Sequence, residues 1–201
     1  MKINHYVPLE AVEKYWKSFQ CPAKFEGFDE VILHNMLSAM KKGDNLFFLG
    51  DLAIKDETFA KTLETFKKRK INFFWILGNH DVKRLKKAYY PLCHTIEKEL
   101  IIKREHTVLH LSHFPLATWE KSFYNGFQLY GHLHKFSPER EALDTIITGK
   151  RLNVNVEFND YKPFSLKDVF EIMENKPDNW DAILLKDYYA KSDFSQLVDV
   201  D

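Results

Sequence analysis

A chain of 201 residues carries 29 Lys and Arg against 29 Asp and Glu, with nine His, two Cys and a formal net charge of zero. That balance excludes a strongly basic nucleic-acid coat and an acidic disordered tail. With 45% apolar residues and 15% aromatics the chain can build a packed core, and its length suits one domain over residues 1–201.

In chain order, Pro8 to Phe19 reads as a helix, with Ala11, Val12, Tyr15, Trp16 and Phe19 on one face. A second helix is expected from Asp29, as N-cap, to Lys42, stopped by Gly43. Asn45 to Leu49 is a short continuous apolar run ending at Gly50-Asp51, the pattern of a strand buried on both faces. A third helix carries Phe59, Leu63 and Phe66 as its core stripe and ends in Lys67-Lys68-Arg69-Lys70, cations that suit a helix C-terminus. Ile71 to Leu77 reads as a second buried strand and ends at Gly78-Asn79-His80-Asp81.

The second half is richer in strands. Leu100–Lys103 and Thr107–Ser112 read as a hairpin, followed by strands at Phe127–Tyr130, Thr145–Thr148 and Arg151–Phe158, with a tight turn at Gly149-Lys150. Ser165 caps a helix to Glu174, and a last helix is expected from Asp181 to Ala190. The order implies a layered α/β (α+β) domain.

Two isolated thiols, Cys21 and Cys93, form no Cys-x-x-Cys pair, which excludes a zinc ribbon. With no apolar leader at the N-terminus and no membrane-length apolar run, a cytoplasmic protein without a membrane partner is expected. Residues 61–104 hold twelve basic and four acidic residues, a balance of +8, whereas residues 156–201 hold five and eleven, a balance of −6. Most of these charges read as solvated faces. Lys83-Arg84-x-Lys86-Lys87 directly follows Gly78-Asn79-His80-Asp81, so it favours an anionic substrate at that loop.

Four segments carry the chemistry: Gly50-Asp51, Gly78-Asn79-His80-Asp81, Ser112-His113 and Gly131-His132-x-His134. Each falls at the carboxyl end of an expected strand, the edge where layered α/β sheets place ligands. Carboxylate, amide oxygen and imidazole are donors that suit zinc, manganese or iron rather than calcium. His132 and His134, two apart in extended backbone, point to the same side. His5, His34, His94, His106 and His110 read as structural or solvated, with His5 the best placed of them.

In this order the segments resemble the calcineurin-like metallophosphoesterase superfamily, and more closely its small single-domain bacterial and phage-type branch. Leu111 to Leu116, Leu129 to His132, Arg151-Leu152-Asn153-Val154-Asn155-Val156 and Lys162-Pro163 carry that closer likeness, which runs from about Asp29 to Asp168. The resemblance implies a β-sandwich flanked by helices and hydrolysis of phosphomonoesters or phosphodiesters at a one- or two-metal centre. It implies that Asp51 bridges metals, that Asn79, His113 and His132 complete one site, and that His134 serves the other. His80 would stand near the phosphate with Asp81 orienting it, and Asn79, His80 and Arg84 would contact substrate. The implied cofactor is a divalent ion, manganese first, then zinc, iron(II) or nickel. The implied partner is a phosphorylated small molecule or nucleotide, with nucleic acid not indicated.

The superfamily's first motif, Asp-x-His at the end of the first strand, has no match, since no aspartate precedes Asp29. Ile3-Asn4-His5 resembles the continuation of that motif. The expectation is therefore a fold lacking its first strand, through truncation or an alternative start. The alternatives are a protein that natively lacks that strand and uses a single metal, with His5 or His34 recruited, and a reduced member that binds metal or phosphate with little catalysis.

Overall fold

The computed structural model describes residues 28–52, 56–104, 106–135 and 149–179. The expected elements at Pro8–Phe19, Thr145–Thr148 and Asp181–Ala190 lie outside these residues, as does His5. The described elements are α1 (Phe28–Ala39), β1 (Asn45–Phe48), α2 (Asp56–Lys68), β2 (Asn72–Ile76), β3 (Thr95–Glu97), β4 (Glu99–Arg104), β5 (Thr107–Ser112), β6 (Gly126–Tyr130), β7 (Arg151–Asn153) and α3 (Leu166–Glu174). Short 3-10 turns occupy Val82–Arg84, Lys87–Leu92 and Val156–Phe158.

Two sheets form. The first has the order β1-β2-β3, all parallel, and the second has the order β4-β5-β6-β7. In the second sheet β4 and β5 make the expected antiparallel pair, with Glu99 opposite Ser112 and Arg104 opposite Thr107. β6 and β7 then add in parallel.

The apolar run of β1 is explained by what lies on each side. Side chains alternate across a strand, so Leu46 and Phe48, with Phe73 and Trp75 of β2, join Ile32 and Met36 of α1 and Phe59, Leu63 and Phe66 of α2. The expected stripe of α2 is fully buried, with Phe59, Leu63 and Phe66 all at 0% exposure. Burying each such side chain contributes about 1.5–3 kcal/mol. Phe47 faces the other way, stacked on Phe74 at 4.5 Å, and packs against a second cluster. That cluster joins Leu49 and Ile76 to Leu109, Leu111, Phe127 and Leu129 of the second sheet and to Val169 and Met173 of α3. The result is a mixed α/β architecture in which two sheets share a core and helices flank them. α3 is held by a capping box: Ser165 Oγ accepts from Asp168 N at 3.1 Å, and Asp168 Oδ2 accepts from Ser165 N at 2.9 Å.

Three expectations need correction. α1 begins at Phe28, so Asp29 lies inside its first turn, and it ends at Ala39 rather than Lys42. β3 was not anticipated, because a three-residue strand offers no period to read. The strand expected from Arg151 to Phe158 ends at Asn153. Beyond it, Asn153 Oδ1 accepts from Asn155 N at 3.0 Å and Asn155 Oδ1 accepts from Glu157 N at 3.1 Å. The ladder to β6 ends with Val154 N donating to Tyr130 O at 2.8 Å, and these side chains satisfy amides on the edge of the segment that faces away from β6.

Candidate metal centre

Parallel pairing sets the carboxyl ends of β1 and β2 side by side, and it does the same for β5 and β6. The two edges are tied together by His113, whose Nδ1–H donates to Leu49 O at 2.7 Å, while within the second edge Gly131 N donates to His113 O at 3.0 Å.

The backbone turns sharply at each edge. Gly50 (φ 95°) and Asp51 (φ 57°) are left-handed, and so is His132 (φ 60°). A left-handed non-glycine residue is uncommon, and such strain concentrates at ligand-binding positions. Gly78 is needed for closeness: a Cβ there would run into the Asp51 carboxylate and lie 2.7 Å from Asp51 N.

Four of the expected donors converge. His113 Nε2 lies 3.0 Å from Asn79 Oδ1, 3.2 Å from His132 Nδ1 and 3.4 Å from Asp51 Oδ2. Ligand atoms of Asp51, His113 and His132 all lie within 4.8 Å of one another. Because His113 Nδ1 carries its proton toward Leu49, the neutral ring turns a lone pair inward at Nε2. The amide oxygen and the carboxylate also offer only lone pairs. Asp51 Oδ2 is buried and makes no hydrogen bond among the described residues, the state of an oxygen awaiting a cation. This donor set fits a divalent metal ion.

The electrostatics agree. Burial opposes charge on Asp51, but the adjacent His113 imidazole, its Nε2 3.4 Å from Oδ2, together with the His80 N–H, outweighs it and holds the carboxyl below its ordinary value. Burial likewise opposes charge on His113, yet Asp51 outweighs it and raises that imidazole. His132 is pushed down by burial and then by the charge of His113. His132 is therefore more readily kept neutral for ligation than His113.

The other expected site residues stand around this group. His80 is half-buried, and its backbone N–H donates to Asp51 Oδ1 at 2.9 Å. Arg84 ends the 3-10 turn that follows Asp81, its N–H donating to Asp81 O at 2.8 Å. Asp81, expected to orient His80, is fully buried, and its carboxylate serves other donors. Oδ2 accepts from Asp51 N at 2.6 Å, Gly78 N at 2.9 Å and Trp75 Nε1 at 3.1 Å, while Oδ1 accepts from Leu52 N at 3.0 Å. Asp81 thus braces the two ligand loops against each other. Burial, partly offset by the Gly78 N–H, raises its carboxyl above the ordinary value.

His134 stands outside the group of mutually close ligand atoms. Its Nδ1 lies 2.7 Å from Glu157 Oε1. Glu157 was not singled out in the sequence, although it continues the alternation Asn153-x-Asn155-x-Glu157. Phe114, at 47% exposure, was noted only within a motif, and its ring lies 4.6 Å from that of His132. His34, His94, His106 and His110 take no part: His110, for example, is buried against Glu99 at 3.3 Å. No helix among the described residues is long and apolar enough to cross a membrane.

Comparison with known proteins bears on this geometry. The sequence profile of calcineurin-like phosphoesterases matches residues 5–193. An uncharacterized protein of Methanocaldococcus jannaschii is 25% identical over 157 residues, spanning 74% of this chain and 77% of its own. A crystal structure of a protein of unknown function from Aquifex aeolicus superposes with a TM-score of 0.58 at 24% identity, covering 80% of this chain and 92% of that one. The two share the fold.

Proposed function

The chain belongs to the calcineurin-like phosphoesterase family, whose members generally depend on divalent metal, and on that premise we propose that it hydrolyses phosphomonoester or phosphodiester bonds. The supporting observation is the convergence of Asp51, Asn79, His113 and His132 on one point, with lone pairs directed inward. These residues would hold a divalent cation, manganese first by its tolerance of mixed oxygen and nitrogen donors. Bound there, the ion supplies charge against that developing on the phosphoryl oxygens and activates a water for attack.

The chain's own groups do the rest. Leu49 O keeps His113 in the tautomer that presents Nε2. Asp81 holds both ligand loops in register through four N–H bonds. His80, tethered by its backbone to Asp51, stabilises the phosphate or protonates the leaving oxygen. Arg84, with exposed Lys83, Lys86 and Lys87 nearby in sequence, draws in the anion. The substrate is a phosphorylated small molecule or nucleotide. The free thiol of Cys93, pushed up to about 12 by burial, suits a cytoplasmic setting.

The test is elemental analysis of chelated and manganese-reloaded protein, combined with assays on p-nitrophenyl phosphate and bis(p-nitrophenyl) phosphate. Metal uptake with metal-dependent turnover is expected. Uptake without turnover on either ester or a nucleotide panel would support the binding-only alternative, and no uptake would overturn the site.

A further inference from the structure

The segment Asn153-Val154-Asn155-Val156-Glu157 has no role in the centre described above, yet it grips the loop that carries His132 and His134. Asn153 Nδ2 donates to Leu133 O at 2.7 Å, so the amide of β7 holds the residue between the two histidines. Its Oδ1 accepts from Asn155 N at 3.0 Å, and Asn155 Oδ1 accepts from Glu157 N at 3.1 Å. Glu157 closes the circuit with both oxygens: Oε2 accepts from Lys135 N at 2.9 Å, and Oε1 lies 2.7 Å from His134 Nδ1. Asn153 and Asn155 are buried, at 8% and 1% exposure, so this ladder is shielded from competing water.

We propose that Glu157, set by the Asn153–Asn155 ladder, is a positioning residue that fixes the tautomer and orientation of His134 as a metal ligand. A carboxylate accepts and does not donate, so the His134 proton sits on Nδ1 and the lone pair is placed on Nε2. Bidentate contact with the ring and with the next backbone amide also fixes the rotation of the imidazole, because Glu157 is anchored to the loop it orients. A carboxylate behind a ligating histidine raises the ring's basicity and removes the entropy of ordering it. The alternating spacing gains a physical meaning: Asn153 and Asn155 each accept the backbone amide two residues on, and Glu157 at the end of the row delivers a charge to His134.

The inference rests on His134 serving the phosphoesterase centre, and its test separates the two. His134→Ala, Glu157→Ala and Glu157→Gln are made in the full chain. Manganese affinity and stoichiometry are measured by titration calorimetry, and the protonated nitrogen of His134 is read from its ring 15N shifts in the metal-free protein. Glu157→Ala is expected to weaken the manganese dependent on His134 by about 10–100-fold. It is also expected to shift the His134 proton away from Nδ1. Glu157→Gln, whose amide oxygen can still accept, recovers part of both effects. If His134→Ala lowers manganese affinity while Glu157→Ala changes neither affinity nor tautomer, the inference is wrong and the phosphoesterase reading stands. If His134→Ala leaves manganese binding unchanged, His134 is no ligand and both fall for that residue.

Discussion

Replacing Asp51 by Asn is the sharpest single test of the centre. The amide retains the shape and an oxygen for the His80 N–H now held at 2.9 Å, but it removes the charge from a carboxylate that is 3% exposed. A unit charge pair at about 4 Å in an effective dielectric of ~20 is worth about 4 kcal/mol. Part of that is retained by the amide dipole. A net loss of about 2.7 kcal/mol, or about 100-fold in metal affinity, is then expected. Manganese at about 100 times its dissociation constant stabilises the wild type by about 2.7 kcal/mol, and after a 100-fold loss the gain falls to about 0.4 kcal/mol. At roughly 2–4 °C per kcal/mol for a chain of this size, the metal-induced rise in Tm shrinks from about 5–11 °C to about 1–2 °C. Without metal, two effects oppose each other in the variant: loss of attraction to His113 and relief of repulsion on Asp81. The metal-free Tm should therefore stay close to that of the wild type, and turnover should vanish. Thermal melts with and without manganese measure this directly. A full metal-induced rise in Asp51→Asn would refute the assignment of Asp51.

The remaining predictions concern the support of the site. Gly78→Ala drives a methyl against the Asp51 loop, so a loss of about 1–3 kcal/mol is expected from overpacking, read as a lower Tm. Ser165→Ala removes the cap of α3 and should cost about 1 kcal/mol in a denaturant melt. Metal affinity should rise with pH, because cation and proton compete for the raised His113 ring. Below that raised value it should fall by about tenfold per pH unit, measurable by calorimetry. In the metal-free protein the pair has a defined window. The Asp51 contribution is present above 3.8 and lost as pH falls through its lowered folded value. The His113 contribution is complete below 6.5 and lost as pH rises through its raised one. The pair therefore stabilises the metal-free fold most between 3.8 and 6.5, which a pH series of melts checks.

The strands and donors of the site were legible because their signals are local. Asn45–Leu49 and Ile71–Leu77 are apolar on both faces because one face meets α1 and α2 and the other meets the second sheet. Asp51, Asn79, His113 and His132 could be read from residue type and place at strand ends, and the structure brings them together. The partners were not legible. Asp81 meets Trp75 and two amides thirty or so residues earlier in the chain, a pairing that exists only once β1 and β2 align. Glu157 reaches His134 across 23 positions, and only the turn after β7 makes that reach. The three-residue β3 carries no period at all and is fixed by pairing with β2.

The two kinds of support answer one physical problem. The proposed ligation asks Asp51 and His132 to hold left-handed backbone that L-residues rarely adopt. Strain of this kind, about 1–3 kcal/mol at each position, persists only where neighbours over-determine the geometry. At Asp51 the neighbour is Asp81, whose carboxylate accepts the amides of Asp51, Leu52 and Gly78 together. Near His132 it is the loop grip of Asn153 on Leu133 and of Glu157 on His134 and Lys135. In both places a buried or half-buried acceptor collects several N–H groups, so the backbone that presents the ligands is set by groups that are not among the four converging donors. Conservative changes at Asp81 or Glu157 should therefore alter metal affinity even though neither residue is among those donors.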